Sequence, residues 1–415
     1  MSLTPFDRSV RFNGKRLHLG VSGSVASYKS CDLVRTWKKL GIHVSVTLSD
    51  SACRFVSPLL FESLGALPVY GSMFADNEDC FAHLTPGQTA QAMILAPASA
   101  DTLARLAQGR ASDMLSAQAL AFDGPLVLAP AMNPRMWGNP ATRANVARLR
   151  EYGAIFVGPD SGGTACGDEG VGRLAPLSEI FLAALKAISP QDMGNFKVMV
   201  TLGPTREPWD KVRFWSNPSS GRMGACLAVA AWLRGARVTA VCGPVAPLCL
   251  PAEIDRIDVS SANDMYEAAR DCWPSMDMGM FCAAVADFSP IPPENGGTEH
   301  KFKKSDAPQG LRISFRTNPD ILLALSTEKR HDQKILAFAA ETAPDMESLL
   351  PLAQAKLYRK KADILAANRI NSDDSGFAAN SNRMLVVDKT GRNEQWPLQD
   401  KADAAWDLCS WLLRI

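Results

Sequence analysis

The sequence predicts an α/β protein built from two open, mainly parallel, doubly wound sheet domains, and three observations carry that expectation. Short apolar runs alternate with helix-period segments from Arg16 to Val157. A polar, breaker-rich joint, Ser189-Pro-Gln-Asp-Met-Gly-Asn, interrupts the alternation, which restarts at Lys197. A length of 415 residues exceeds one ordinary domain. The joint sets expected domains of 1–190 and 191–415.

In chain order, Arg16 to Val21 reads as a short apolar strand, followed at once by Ser22-Gly23-Ser24-Val-Ala-Ser and the helical pattern Tyr28 to Leu40. Strand, small-residue turn and helix open a βαβ unit. Such a turn offers backbone N–H groups and hydroxyls to a phosphate, with the positive end of the helix dipole behind them; tight packing of strand on helix is the competing reading. The alternation continues with strand Val44 to Leu48, helix Ala52 to Gly65, strand Ala92 to Ala96, helix Asp101 to Gln108, strand Leu126 to Ala129, helix Ala141 to Tyr152 and strand Ile155 to Val157. Ligands of such sheets lie at the carboxyl ends of the strands. Three turns therefore carry the most weight: Ser22-Gly23-Ser24, the segment Ala96 to Asp101, and Ala129 to Trp137.

Beyond this sheet lies Gly162 to Leu174, GGTACGDEGVGRL, with five glycines in thirteen positions. Each glycine loses extra backbone entropy on ordering, so neither a packed helix nor a regular strand is expected. A glycine loop with one thiol and several charges suits a lid; an ordinary surface loop is the alternative.

Composition narrows the function class. Lys+Arg 44 against Asp+Glu 43 leaves a net charge of +1, which excludes broad electrostatic attraction to nucleic acid or an anionic membrane. The ten cysteines are scattered, without a CxxC pair or a zinc-like Cys/His cluster. That pattern points to reduced thiols, mostly small core residues, in the cytoplasm. No apolar run reaches the roughly 18 residues that span a bilayer, and the N-terminal stretch lacks a signal-peptide core.

Together, GVSGSVASYK, His83 fourteen residues before Pro97, APASAD, PAMNPRMW and GGTACGDEGVGRL resemble the flavin-dependent cysteine decarboxylases, most closely phosphopantothenoylcysteine decarboxylase, over residues 16–180. The resemblance implies a flavoprotein domain of flavodoxin-like or Rossmann-like type that binds FMN, its phosphate at Ser22, Gly23 and Ser24 and its ring along Pro97 and Ser99. It implies that Cys166 donates a proton to the product enethiolate, that His83 is a base or orienting group, and that Asn133 binds the substrate carboxylate. The chemistry makes these parts intelligible: loss of CO2 needs an electron sink, which oxidation of the cysteine thiol to a thioaldehyde creates and a flavin can drive. A thiol with pKa of about 8.5 is a serviceable donor near neutrality. The sequence departs from the family at Asp101, where Asn is usual, and in the residues after His83.

The second half repeats the alternation without a second PAMN or thiol loop. Strand Lys197 to Thr201, a glycine turn, helix Met223 to Arg234, strand Val238 to Cys242, helix Ala262 to Cys272 and strand Gly279 to Val285 are expected, with the tail after Asn380 completing the sheet and packing a last helix, Asp400 to Leu413. Ser219-Ser-Gly-Arg-Met-Gly, opening the first of these helices, is a second candidate phosphate site. Lys301, Lys303 and Lys304 cluster, and Lys356 and Lys360 share a helix face.

GPTREPWDKVRFWSNPSSGRMG, AAVADFSP, KFKK, TNPDIL, FAAET and AKLYRKKADILAAN resemble phosphopantothenate–cysteine ligase over residues 197–390. Both halves in this order match the bifunctional enzymes of bacterial coenzyme A biosynthesis. The resemblance implies a Rossmann-like ligase domain that uses CTP and Mg2+. It assigns nucleotide contacts to Phe281, Cys282, Ala283, Asp287, Lys301, Asn318, Pro319, Asp320, Ile321, Phe338, Lys356 and Lys360, and catalytic roles to Asn217, which stabilises an acyl-cytidylate, and Lys301. No metal ligand is assigned. It also implies self-association, trimers of the first domain and dimers of the second combining to a dodecamer. The competing classes are another flavin-dependent decarboxylase and a halotolerance-type regulatory flavoprotein. Against the first stand the loop with Cys166 and the ligase half; against the second stand the joint presence of His83, Asn133 and Cys166 and the stretch DLCSWLLRI where such regulators carry acidic tails.

Overall fold

The computed structural model describes residues 4–74, 80–163, 167–246, 250–292, 301–303, 309–369 and 380–415. It divides into two compact units, Met1–Pro190 and Gln191–Ile415.

In the first unit, strands β1 (Arg16–Val21), β2 (His43–Leu48), β3 (Val69–Tyr70), β4 (Ala92–Ala98), β5 (Leu126–Pro130) and β6 (Ile155–Phe156) form one parallel sheet in the order β3-β2-β1-β4-β5-β6. This is the Rossmann order, which reverses direction between β1 and β4. Every residue of β4 is buried, because a parallel sheet is covered on both faces. Covering it are α1 (Ser30–Lys39), α2 (Pro58–Ser63), α3 (Thr85–Thr89), α4 (Ala100–Ala107), α5 (Met114–Leu120), α6 (Pro134–Gly138), α7 (Pro140–Glu151) and α8 (Leu177–Ala187). Leu103, Leu115, Val146 and Leu149 from these helices pack with Met93, Leu95 and Leu128 of the sheet.

Several expectations need correction. The helix expected from Tyr28 starts as a 3-10 turn, Val25–Lys29, fixed by a capping box between Ser24 and Ser27. The helix expected over 52–65 is split into a 3-10 turn, Ala52–Arg54, and α2, since the residue before Pro58 avoids helical backbone. Strand β4 continues through Pro97 to Ala98, so the segment Ala96 to Asp101 is not a turn throughout. The glycine stretch does form strands: β7 (Asp160–Gly163) and β8 (Glu169–Arg173) pair antiparallel. The entropic cost of the glycines is offset by a partner distant in the chain. Met132 N donates to Gly172 O at 2.9 Å, and a Cβ at Gly172 would stand 2.3 Å from Met132 O, so only glycine allows this approach. Of the eight described free cysteines only Cys226, Cys242 and Cys409 are buried, so a mostly core placement of the thiols was too broad.

The second unit contains β9 (Lys197–Leu202), β10 (Arg206–Pro208), β11 (Phe214–Ser216), β12 (Arg237–Cys242), β13 (Asp255–Asp258), β14 (Met278–Phe281), β15 (Phe288–Pro290), β16 (Phe315–Thr317), β17 (Lys334–Glu341), β18 (Ile364–Arg369), β19 (Ser381–Asn382), β20 (Leu385–Asp388), β21 (Asn393–Gln395) and β22 (Gln399–Asp400). Eight of them make a sheet in the order β13-β12-β9-β14-β17-β18-β20-β21. The first six run parallel, and the tail strands β20 and β21 complete the sheet antiparallel. The helices are α9 (Arg222–Leu233), α10 (Ala262–Cys272), α11 (Ile321–Thr327), α12 (Met346–Arg359) and α13 (Lys401–Arg414). Helix α9 is buried at every position from Met223 to Leu233, being covered by the sheet on one side and α13 on the other. The strand expected to reach Val285 ends at Phe281. Its continuation still follows the chain after β9, with Cys282 N donating to Thr201 O at 3.1 Å and Ala286 N to Thr205 Oγ1 at 3.0 Å. Among the described residues no helix is long and apolar enough to cross a membrane.

Candidate active sites

At the carboxyl end of β1, Ser22 is buried and its hydroxyl donates to Pro97 O at 2.8 Å while accepting from Ser99 N at 2.7 Å. With both capacities used, Ser22 ties the turn after β1 to the end of β4. Ser99 caps α4, accepting from Thr102 N, and Ser24 caps the 3-10 turn, accepting from Ala26 N at 3.2 Å. Gly23 lies between them, where a Cβ would come within 2.5 Å of Ser51 Cβ. Ser22, Gly23, Ser24, Pro97 and Ser99 thus meet at the crevice where the strand order reverses.

His83 is half-buried in the turn before α3. The carbonyl beside it, Ala82 O, accepts from Gln118 Nε2 at 2.9 Å. Gln118 Oε1 in turn accepts from Thr47 Oγ1 at 2.5 Å. Having given its one proton to Gln118, Thr47 accepts from His18 Nε2 at 3.0 Å, and His18 Nδ1 accepts from Ser45 Oγ at 2.8 Å. Burial pushes the His18 imidazole down to about 3, against a smaller opposing influence from Gln118, so the ring is neutral. A fully satisfied polar chain therefore runs from the sheet interior to the backbone that carries His83.

Asn133 caps α6, its Oδ1 accepting from Arg135 N at 2.8 Å. Its Nδ2 donates to Asp168 Oδ2 at 2.6 Å, and Asp168 also lies 3.6 Å from the Arg135 guanidinium. The PAMN segment and the base of the ribbon are thereby joined through Asp168, a contact that sequence reasoning did not anticipate. Cys166 lies outside the described residues. Asp101 is exposed and pairs with Arg105 at 2.8 Å, which also reaches Asp113 at 2.7 Å.

In the second unit a cavity of about 710 Å3 opens at the carboxyl ends of β9, β14 and β17. Phe281, Cys282 and Ala283 line it, together with Asp287, Asn318, Pro319 and Asp320. Ile321, Phe338, Lys356 and Lys360 complete the set of expected contacts that line it. The hydrogen bonding explains the shape. Asn217 Nδ2 donates to Val285 O at 2.9 Å, and Asn318 Nδ2 to Ala286 O at 2.7 Å. Ser289 Oγ lies 2.8 Å from Glu207 Oε2 and within hydrogen-bond reach of Asn318 Oδ1, two acceptors for its single proton that flank the loop from two sides.

Lys356 and Lys360 of this lining are both ion-paired. Lys356 Nζ is 2.7 Å from Glu341 Oε1, and Lys360 pairs with Asp320, whose other oxygen caps α11 by accepting from Leu323 N at 3.1 Å. Burial pushes the Cys282 thiol up to about 12, so it stays neutral. Lys301 is exposed and is not part of the lining; the neighbouring Phe302 is anchored by its N–H to Asp210 Oδ2 at 3.1 Å and by its ring, 5.1 Å from that of Trp209. Lys303 is also exposed, and Lys304 lies outside the described residues.

Sequence reasoning missed Asn368, Asn382 and Lys401, which also line the cavity. The opening of α9, Ser219 to Gly224, lines it too. A second cavity of about 520 Å3, lined by Arg206 and Phe214 among others, shares Asn217, Pro218, Ser219 and Ser220 with the first. Among the described residues no group of three or more His, Cys, Asp or Glu side chains could hold a metal ion.

Two doubly wound units, one with a hydroxyl-rich turn and one with a lysine-bearing cavity at the strand ends, define a two-site α/β flavoprotein of pantothenate metabolism once families are compared. The Flavoprotein family matches residues 7–189, and the family described as DNA/pantothenate metabolism flavoprotein C-terminal domain matches residues 193–415. Over 396 residues the chain is 37% identical to the coenzyme A biosynthesis bifunctional protein CoaBC of Vibrio vulnificus strain YJ016, covering 95% of this chain and 96% of that one. The protein of the same name from Escherichia coli strain K12 is 38% identical over 394 residues, covering 94% of each. A crystal structure of the C-terminal domain of a CoaBC protein is 30% identical with a TM-score of 0.43, covering 53% of this chain and 95% of that one. The chain belongs to the family of coenzyme A biosynthesis bifunctional proteins.

Proposed function

We propose that the second unit joins cysteine to 4′-phosphopantothenate through an acyl-cytidylate drawn from CTP, and that the first unit decarboxylates the product, 4′-phosphopantothenoylcysteine, to 4′-phosphopantetheine with FMN. The single observation that carries the reading is the cavity of the second unit: eleven of the twelve expected nucleotide contacts, all but Lys301, line one space. A volume of about 710 Å3 suits a nucleotide-sized ligand.

In the ligase step, Lys356 and Lys360 exchange their carboxylate partners for phosphate oxygens, with Mg2+ as the accompanying cation. Asn217, pinned through Nδ2 to Val285 O, presents its remaining amide capacity at the wall shared by the two cavities, where the activated acyl group meets cysteine. Lys301 contributes its charge from outside the described lining.

In the first unit the residues present fit a flavin phosphate: a small-residue turn at the strand-order reversal, with Gly23 too close to Ser51 for any side chain. Bound there, FMN would take two electrons from the cysteine thiol, which creates the thioaldehyde sink for loss of CO2, and would return them to the enethiolate, so that the overall step is redox-neutral. Ser22 holds Pro97 and Ser99 in place along one side. Asn133 binds the substrate carboxylate, His83 takes or orients the thiol proton, and Cys166 returns a proton to the enethiolate carbon skeleton. The protein acts in the cytoplasm as a dodecamer of trimers and dimers, and light scattering at assay concentration checks the assembly.

The test is the visible spectrum of the purified protein together with its turnover of 4′-phosphopantothenate and cysteine. A yellow protein that forms 4′-phosphopantetheine with CTP, and poorly with ATP, is expected. A colourless protein that refuses added FMN overturns the account of the first unit; a yellow one that forms no 4′-phosphopantothenoylcysteine overturns that of the second.

A further inference from the structure

Lys401 and Asn382 have no part in the reading above. Lys401 is the first residue of α13, is only 3% exposed, and lines the large cavity. Desolvation pulls its ammonium below the ordinary lysine range, opposed by Cys226, Cys282 and Asp400, with Arg222 acting in the same direction as burial. Both thiols are themselves pushed up by burial and stay neutral. A lysine this buried is costly to keep charged, and a cavity that keeps one is suited to an anion.

Asn382 is placed beside it by the short ladder of β19 and β22, which pairs Asn382 with Gln399 and Ser381 with Asp400. Lys401 N extends this ladder by donating to Asn380 O at 3.0 Å. Asn382 is 7% exposed, lines the same cavity, and among the described residues its Oδ1 has no hydrogen-bond partner. A buried acceptor left unmade costs about 1–3 kcal/mol, which a ligand donor would recover. Helix α9 packs against α13, and its first turn lines the cavity with Thr201 of β9 and Phe281 of β14. This is the crevice where the strand order reverses, the position at which doubly wound sheets receive the phosphates of nucleotides.

We propose that Lys401 and Asn382 form the inner end of the nucleotide site, Lys401 holding an anionic phosphate of a nucleoside triphosphate and Asn382 Oδ1 accepting an O–H or N–H from its nucleoside. The inference rests on the nucleotide reading of the cavity. It also distinguishes ligand classes, because an inorganic polyphosphate meets Lys401 but offers Asn382 no nucleoside donor.

Titration calorimetry on the full-length holoprotein, with CTP and with inorganic tripolyphosphate as probes, tests it. Lys401→Met is expected to weaken both at least tenfold. Asn382→Leu is expected to weaken CTP several-fold and leave tripolyphosphate unchanged. Lys401→Met is expected to melt, without ligand, within a few degrees of the wild type, while the shift induced by CTP disappears. If that variant melts lower instead, Lys401→Arg replaces it: restored binding of both probes supports the proposal, and absent binding with native melting overturns it. Unchanged binding in Lys401→Met overturns it directly, as does an equal loss of both probes in Asn382→Leu. Wild-type protein that binds neither probe overturns the nucleotide reading beneath it.

Discussion

The two units lay out their first six strands in the same order, yet they furnish the crevice at the order reversal in opposite ways. Around β1 and β4 the side chains are neutral and hydrogen-bonded to one another: Ser22 bridges Pro97 and Ser99, and a buried chain links His18, Thr47 and Gln118 to Ala82. Around β9 and β14 the crevice is ionic, with Lys356 paired to Glu341, Lys360 to Asp320, and Lys401 buried in the lining of the same cavity. The same backbone supplies a place for a ligand, and the side chains decide its chemistry. A neutral, rigid frame suits a resident cofactor whose reactivity is its own, whereas exchangeable ion pairs suit a polyanion that enters and leaves each turnover.

The comparison can be broken at the ribbon first. If the first unit depends on a single proton donor carried between β7 and β8, Cys166→Ser should lower formation of the final amine by about 10²- to 10⁴-fold, the range for loss of a general acid, with flavin still bound. Product release at the wild-type rate in a coupled assay would remove Cys166 from the mechanism.

Acid should separate the two units next. The folded His18 has its pKa pushed down to about 3 from 6.5, so the unfolded chain binds a proton that the folded one refuses. The stability this group allows is fully present above pH 6.5 and is lost as pH falls toward 3, by up to roughly 5 kcal/mol. Circular dichroism and flavin release followed from pH 7 to 4 should show the first unit failing with a slope that His18→Gln reduces. Parallel acid profiles for that variant and the wild type would show that His18 does not set the window.

A smaller effect concerns the ionic crevice. Lys360 and Asp320 are partly exposed, so their pair contributes only about 0–1 kcal/mol to stability. Lys360→Met should therefore leave the melting temperature nearly unchanged while raising the half-saturating CTP concentration about tenfold, a loss of about 1.4 kcal/mol of binding. A large drop in melting temperature with unchanged CTP saturation would make Lys360 a structural residue.

Much of this was legible in the sequence because the deciding patterns are local. Ala262–Cys272 announces itself by a capping box from Ser261 and an apolar stripe at Met265 and Ala269. The strand-turn-helix alternation orders both sheets, and residues from Phe281 to Lys360 that resemble a nucleotide site do share one cavity. What stayed hidden depends on contacts distant in sequence. The ribbon of β7 and β8 exists because Gly172 fits against Met132, some forty residues earlier, and no local propensity reports that. Gln118 reaches the His83 turn across 36 residues. Lys401 reads as one more polar helix start, and only the packing of α13 on α9 turns it into the floor of a cavity.

The smallest expected effect sharpens the contrast most finely, because it places a charge in the neutral unit. Asp101, where Asn is usual in the resembling decarboxylases, sits in the first turn of α4, is exposed, and pairs with Arg105 four residues on. Arg105 keeps a second carboxylate, Asp113, which caps α5, so it does not lose its orientation if Asp101 is neutralised. Asp101→Asn removes one favourable charge from the positive end of a helix and one exposed ion pair, together worth less than about 1 kcal/mol. Flavin affinity and decarboxylation should both remain within about twofold of the wild type, the corresponding free energy being a few tenths of a kcal/mol. A tenfold change in either, measured by flavin titration and by turnover of 4′-phosphopantothenoylcysteine, would mean that the charge at this position is felt by the cofactor, and the first crevice would then not be the neutral frame described above.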